Sequence, residues 1–262
     1  MTSIDLSTFD YKTFQKIVEK LSDGRQNLRF VDTLPTNLNE PFFIIRHDID
    51  FCPIAALEMA RLESKLGIKA SYFLLFNGPT YNLLAPENID FPKQLVDLGH
   101  EVGLHYDVPS LEACLNKKSA AEVFEGYCHQ LECLSGEKIR SVAMHNPSLL
   151  NGDDPFGQLD YIYASDRRFT KDILYLSDSC GAWRNEADRA FRRDELPKQV
   201  QLLIHPIFWG EQHKDRLVRV QTLFQRESDK LINSLDGIRN IWSQHQGVIE
   251  HDQRIKKNQP DD

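Results

Sequence analysis

The chain has 262 residues, a length that suits one large domain or two small ones and that (β/α) barrels commonly use as one. With 41% hydrophobic and 27% charged residues it has the make-up of an ordinary protein able to bury a core, and its net charge of −8 argues against a general nucleic-acid binder while leaving sugars and small molecules open. Its five cysteines are odd in number and form no CxxC pair, the usage of reduced cytosolic thiols rather than a disulfide framework. The opening Met1-Thr2-Ser3-Ile4-Asp5 lacks the basic-then-apolar plan of a signal peptide, and no apolar run is long enough for a bilayer. The expected location is therefore the cytoplasm, with no transmembrane segment.

Residues from about 8 to 22 read as an amphipathic helix with Phe14, Ile17, Val18 and Leu21 on one stripe, stopped by Asp23-Gly24. A polar loop through Pro35 and Pro41 leads to Phe42-Phe43-Ile44-Ile45, a run apolar at every position and so expected to be a strand buried on both faces. It runs straight into Arg46-His47-Asp48-Ile49-Asp50. A helix from Pro53 to Leu66 ends at Gly67, and Lys69 to Phe76 is a second buried strand. Residues 77 to 90 are longer than the usual strand-to-helix connection and read as a rim loop. A helix from Ile89 to Leu98 closes at Gly99. His100 to His105 is a third strand, Ala120 to Leu134 a helix closed by Gly136, and Arg140 to His145 a fourth strand. This alternation predicts an α/β fold, a parallel sheet or (β/α) barrel. Beyond it lie two short β-like runs, Tyr161–Ala164 and Ile173–Ser177, then a loop from Ser177 to Arg184. Gln199–Ile204 is a clear buried strand ending in His205-Pro206. Residues from about 216 to 242 form a long helix, and the polar tail after Gly247 reads as frayed. Nothing marks a domain boundary, so one domain over 1–262 is expected, with the N- and C-terminal helices packed on it.

Asp48 and Asp50 are two apart, so a continuing strand puts them on one face. Two carboxylates that close resist joint ionisation unless a cation lies beside them. The bland alternative for Asp50 is a helix cap ahead of Cys52-Pro53. If the strands are parallel, Asp48/Asp50, His105, His145 and His205 all end on one rim. His100 is an odd five residues before His105, so it faces the other way and is set aside. Asp107 is two beyond His105 and stays a reserve ligand. One Asp with two His in an open site suits zinc, and also other borderline divalent ions. Such an ion acidifies water and polarises a carbonyl; a free carboxylate can take the proton and a histidine opposite can donate one to a leaving amine. These are the parts for hydrolysis of an amide or ester.

From about Phe42 to Trp209 the residues resemble the polysaccharide deacetylases with the NodB homology domain. More narrowly they resemble the deacetylase-like proteins of bacterial O-antigen and surface-polysaccharide biosynthesis clusters. The resemblance rests on His47-Asp48-Ile49-Asp50, on Gly99-His100-Glu101-Val102-Gly103-Leu104-His105 and on Leu202-Leu203-Ile204-His205. It implies a distorted (β/α) barrel with fewer strands than a TIM barrel, and removal of acetyl groups from N-acetylated sugars with an Asp-His-His-bound metal, usually zinc. Asp48 would be the base, Asp50 and His105 metal ligands, and His205 the proton donor. Ser177-Asp178 through Trp183 stand where the family has an Asp/Trp motif that shapes the pocket and orients the histidine. Two departures matter. The family's second metal histidine lies four after the first, where this chain has Pro109. Its third motif carries an arginine before a proline, where this chain has Met144-His145-Asn146-Pro147. One account covers both: His145 supplies the missing ligand, ahead of Asp107. Arg46 and His47 flank Asp48, and either could hold it ionised. The expected activity is deacetylation of a nucleotide- or lipid-linked N-acetylated sugar with one divalent ion, zinc first. A catalytically silent sugar-binding or scaffold protein, and a hydrolase of small cyclic amides, are the alternatives.

Overall fold

A computed structural model describes residues 4–33, 39–113, 119–146, 159–183, 185–193 and 195–257, so Pro35, Cys114, Pro147 and Arg184 lie outside the described residues. The chain divides into two compact units, Met1–Arg216 and Leu217–Asp262. In the first, helix α1 (Tyr11–Ser22) precedes strand β1 (Gln26–Leu28) and strand β2 (Phe42–Ile49). Then come α2 (Pro53–Lys65), β3 (Ser71–Leu74), a small hairpin of β4 (Asn77–Gly78) and β5 (Tyr81–Asn82), and α3 (Phe91–Asp97). β6 (Glu101–Tyr106), α4 (Val108–Ala113), α5 (Ala120–Ser135), β7 (Ser141–Met144) and β8 (Ile162–Tyr163) follow. The unit closes with α6 (Arg167–Thr170), β9 (Leu174–Ser177), α7 (Asn185–Phe191) and β10 (Gln199–Ile204). The second unit is the body of one helix, α8 (Arg216–Lys257).

The main sheet runs β8-β7-β6-β3-β2-β10-β9, with β1 also paired to β2, and each of these pairings is parallel. Read around from β2, the order follows the chain, with one break between β8 and β9 among the described residues. This is a (β/α) barrel left open on one side, curled rather than flat. Parallel strands need covered crossovers, which the intervening helices supply. β2 is buried at all eight positions, as its unbroken apolar start predicts. Its outward residues Phe43 and Ile45 contribute roughly 1.5–3 kcal/mol each by leaving water. Inside, Phe30, Phe42, Ile44, Phe73, Ala143 and Phe169 form the core below the strand exits.

Gly103 on β6 is required by this interior. A Cβ there would stand 2.5 Å from the Phe73 ring and 2.8 Å from the Ser141 carbonyl. The bare backbone lets Phe73 lie inside the barrel, where its ring centroid is 5.5 Å from the Arg46 guanidinium carbon. A glycine on one strand thereby helps seat a cation on another.

Several boundaries differ from the sequence reading. α1 begins at Tyr11, because Asp10 caps it by accepting from the Thr13 N–H at 2.8 Å. β3 keeps only Ser71–Leu74 of the longer run, and part of the expected rim loop is the β4–β5 hairpin. α8 continues through Gly247 to Lys257, so the tail expected to fray is helical there. Asp50 is not a helix cap: α2 starts from Cys52, with Pro53 in its first turn.

Candidate active site

Because the strands are parallel, their C-terminal ends share one rim, where chemistry sits in barrels of this kind. β2 delivers Asp50 just past Ile49, β6 delivers His105, β7 is followed by His145 and β10 by His205. One ligand atom each from Asp50, His105 and His145 lies within 4.8 Å of the others. Asp50 Oδ1 is 3.1 Å from His105 Nε2 and 3.2 Å from His145 Nδ1, and His145 Nδ1 is 3.2 Å from His105 Nε2.

The tautomer of His105 is decided by its other nitrogen. Nδ1 lies 2.8 Å from the Ala143 carbonyl, which can only accept, so Nδ1 carries the proton and Nε2 turns a lone pair inward. That lone pair faces the carboxylate of Asp50, whose buried Oδ1 accepts no well-aligned hydrogen bond. Two lone pairs at this distance repel unless a proton or a cation lies between them. The donor set fits a borderline divalent cation with an open coordination position. The Asn146 amide nitrogen stands 2.7 Å from His145 Nε2; an N–H there makes Nε2 the acceptor, and Nδ1 is free for an ion when the amide turns its oxygen to the ring instead. Asn146 holds a left-handed backbone, φ 48°, which asparagine tolerates better than most residues. Burial alone would raise the Asp50 pKa; contacts with His105 and His145 lower it well below the usual carboxylate range. The Asp50 carboxylate beside its Nδ1 raises the pKa of His145 against the effect of burial.

Asp48 faces the same interior. Arg46 Nε and Nη2 donate to Asp48 Oδ1 and Oδ2, each at 2.8 Å, in a two-pronged pair that is 3% and 6% exposed. Burial alone would raise the Asp48 pKa, but the Arg46 charge leaves it lowered. Arg46 and Asp48 are two apart on one strand, so both point inward. His47 between them points outward, and its Nε2 meets Glu63 Oε1 of α2 at 2.7 Å. Of the two residues expected to hold Asp48 ionised, Arg46 contacts it and His47 does not.

His205 stands across the cleft, with Nε2 3.8 Å from Asp50 Oδ2. Its Nδ1–H donates to Asp178 Oδ1 at 2.7 Å, and its backbone N–H reaches the same carboxylate at 3.0 Å. Burial alone would lower the pKa of His205; the Asp178 carboxylate overrides this and raises it to about 9. The second Asp178 oxygen accepts from Trp209 Nε1 at 2.8 Å. Trp183, which the resemblance places with Asp178 in a motif that shapes the pocket and orients the histidine, packs against Phe9, Phe191 and Trp209 and lines a separate cavity of about 590 Å³. Asp107, the reserve ligand, accepts from the Ser110 hydroxyl at 2.6 Å and stands outside the cluster. Between Asp48, Asp50, Cys52 and His205 lies a cleft of about 10 Å³, room for one water-sized group.

Sequence reasoning missed the support behind Asp50. The Tyr81 hydroxyl lies 2.6 Å from the Ile49 carbonyl and 3.0 Å from that of Leu75, and Thr80 Oγ1 donates to the Phe51 carbonyl at 2.6 Å. The β4–β5 hairpin thus grips the main chain on both sides of Asp50. It comes close because Gly78 has no side chain; a Cβ there would be 2.8 Å from the Asp50 carbonyl. A glycine followed by two hydroxyl residues was the only sequence signal for this grip.

The fold and site together define an open (β/α) barrel with a candidate metal centre at its strand exits. Neither a protein-family model nor a curated protein matches the chain. Among solved structures it is similar to the peptidoglycan deacetylase PdaC from Bacillus subtilis, at 16% identity and a TM-score of 0.44, over 79% of this chain and 100% of that one. It is also similar to a family 4 acetyl xylan esterase from Clostridium thermocellum in complex with a cobalt ion, at 14% identity and 0.43, over 70% and 84%. A third is the polysaccharide deacetylase Bc1974 from Bacillus cereus, at 14% and 0.41, over 72% and 88%. At these identities and scores the chemistry rests on the side chains described above.

Proposed function

We propose that the protein is a metal-dependent hydrolase that removes the acetyl group from an N-acetylated sugar. The observation that carries this reading is the meeting of Asp50, His105 and His145 at one point, with Asp48 and His205 beside it. A divalent ion held by those three residues, zinc first, would polarise the acetyl carbonyl and acidify the attacking water. Asp48 takes the proton from that water. Its pairing with Arg46 keeps it ionised but also makes it a weak base, which suits a water already acidified. His205 enters protonated at neutral pH, held by Asp178, and gives its Nε2 proton to the departing amine. The amide C–N bond breaks, water supplies the new acyl oxygen, and acetate and a free amine leave. His145 fills the position that Pro109 leaves without a ligand, which favours the enzyme over a silent scaffold. The sequence resemblance supports a precursor sugar of bacterial surface polysaccharide, nucleotide- or lipid-linked, as substrate. The four described cysteines stand outside any disulfide, which supports a cytoplasmic setting.

The test joins metal analysis to acetate release. Protein purified without chelator should carry about one zinc per chain, and zinc-loaded protein should release acetate from a panel of N-acetylated sugars, free and nucleotide-linked. Asp48→Asn should keep the metal and lose about 10²–10⁴-fold in kcat. Normal turnover in Asp48→Asn would remove Asp48 from the role of base; wild-type protein that takes up no metal would sink the whole reading.

A further inference from the structure

α8 runs for 42 residues and belongs, from Leu217 on, to a unit that contains no other described element. A helix this long draws most of its stability from packing an apolar face rather than from propensity. Its apolar residues follow a seven-residue repeat. Phe224, Leu231 and Ile238 are seven apart, and Leu235 and Trp242 stand four after the last two. Spacings of three and four in alternation are the seam of a coiled coil, which a second helix with the same repeat fills knob into hole. These five side chains are exposed, Leu231 by 70% and Trp242 by 66%, and Ile232 and Ile241 widen the stripe at 53% and 55%.

We infer that this stripe is a self-association surface, and that its occupant is α8 of a second copy of the chain. Three observations favour that occupant. The first is area. At about 100 Å² apiece the seven side chains expose on the order of 700 Å², more than the largest apolar patch of a typical monomer. Two such faces bury about 1,400 Å², within the range of a stable, specific interface. The second is charge. Between Phe224 and Trp242 the basic residues Arg226, Lys230 and Arg239 are matched by Glu227, Asp229 and Asp236. A helix built to lie on an anionic membrane carries a basic excess instead. The third is where those charges go. Lys230 donates to Glu227 at 2.9 Å, Arg226 to the same carboxylate at 3.0 Å, and Gln225 to Asp229 at 2.9 Å, all within the helix. Little charge is left to select a dissimilar partner, so the seam's simplest complement is itself, across a two-fold axis.

Light scattering on the full-length chain, eluted from a sizing column over a range of loading concentrations, tests this. The expected result is a mass of two 30.3 kDa chains, or of a larger closed assembly. Leu231→Glu combined with Leu235→Glu should return it to one chain, with near-ultraviolet circular dichroism unchanged as a check that the barrel is folded. The milder pair Leu231→Ala with Leu235→Ala should raise the dissociation constant at least about tenfold. A monomer at every concentration would overturn the inference and leave the seam to the chain's own barrel. So would an assembly indifferent to both variant pairs. Binding to anionic phosphatidylglycerol vesicles by a chain that stays monomeric would overturn it in favour of a membrane.

Discussion

Arg46 and Asp48 point from β2 into the barrel, while His47 between them points out toward α2. Both faces bury charge at the same depth in the chain, yet they dispose of it differently. Outward, Glu63 accepts from His47 Nε2 at 2.7 Å and from the Tyr72 hydroxyl at 2.6 Å. His100 beside them receives the Ala70 N–H at 3.1 Å and donates to the Ala60 carbonyl at 2.9 Å, and burial lowers its pKa. Donors and acceptors there match almost one for one, with only His47 Nδ1 left over. Inward, the Arg46–Asp48 pair is matched too, but one step further on Asp50 Oδ1, His105 Nε2 and His145 Nδ1 converge to within 3.2 Å of one another, and the buried Asp50 Oδ1 is left without a hydrogen-bond partner among the described residues. A satisfied buried network specifies structure; one that lacks a single positive centre is built to receive it. Charge is buried on both faces, so burial alone does not distinguish a site from a scaffold. The balance of donors and acceptors does.

Removing one carboxylate from each face should expose that difference. Asp50→Ala should lose the bound metal altogether and lower turnover more than Asp48→Asn does, by at least about 10³-fold. Metal analysis beside an acetate-release assay reads both. Glu63→Ala should do the reverse. It strands His47 and Tyr72 in the core and should cost roughly 3–5 kcal/mol in urea unfolding, while the folded fraction still binds one metal per chain. If Glu63→Ala lost its metal at full stability, the two faces would not be separate devices.

The sequence carried the alternation of faces clearly. A strand apolar from Phe42 to Ile45 predicts burial on both sides, and the two-residue period assigns Asp48 and Asp50 together and His100 apart from His105. Strand ends that share a rim follow from parallel pairing, which the strand–helix alternation implies. The same period separates Arg46 from His47, but it names no partner for either. Other features had no such pattern to read. Whether Trp183 or Trp209 reaches Asp178 depends on how the loop after β9 folds back, and two tryptophans in suitable places look alike in a string. Hydroxyl-to-carbonyl contacts such as those of Thr80 and Tyr81 join residues about thirty apart, and they leave no periodic trace.

That hairpin grip supplies a smaller effect that sharpens the inward face. Tyr81→Phe removes the proton shared between the carbonyls of Ile49 and Leu75 while keeping the ring in place. The outer support of a metal ligand is commonly worth 10- to 100-fold in affinity. Zinc affinity should therefore fall about tenfold, while stability falls by about 1 kcal/mol. Competition with a chelating dye measures the first and urea unfolding of metal-free protein the second. Unchanged affinity would reduce the hairpin to packing.

The smallest effect belongs to Glu101, at the opposite end of β6 from His105. Its carboxyl is buried and accepts from the hydroxyls of Ser71 at 2.6 Å and Ser141 at 2.7 Å, and from the Val31 N–H at 3.2 Å. Burial outweighs these bonds and holds its pKa above the ordinary 4.5. The folded state therefore binds this proton more tightly than the unfolded chain does. The stability it contributes is complete below pH 4.5 and is lost as pH rises from there through the raised folded value. Glu101→Gln keeps the shape and cannot ionise, so the variant should gain on wild type as pH climbs through that window and hold a constant difference above it. Urea midpoints for both proteins from pH 4.5 upward, under matched metal, measure the gap directly, since other titrating groups cancel between them. Parallel curves would mean that the serine hydroxyls and the Val31 N–H stabilise the carboxylate as well as water does. The floor of the barrel would then carry its charge without loss of stability.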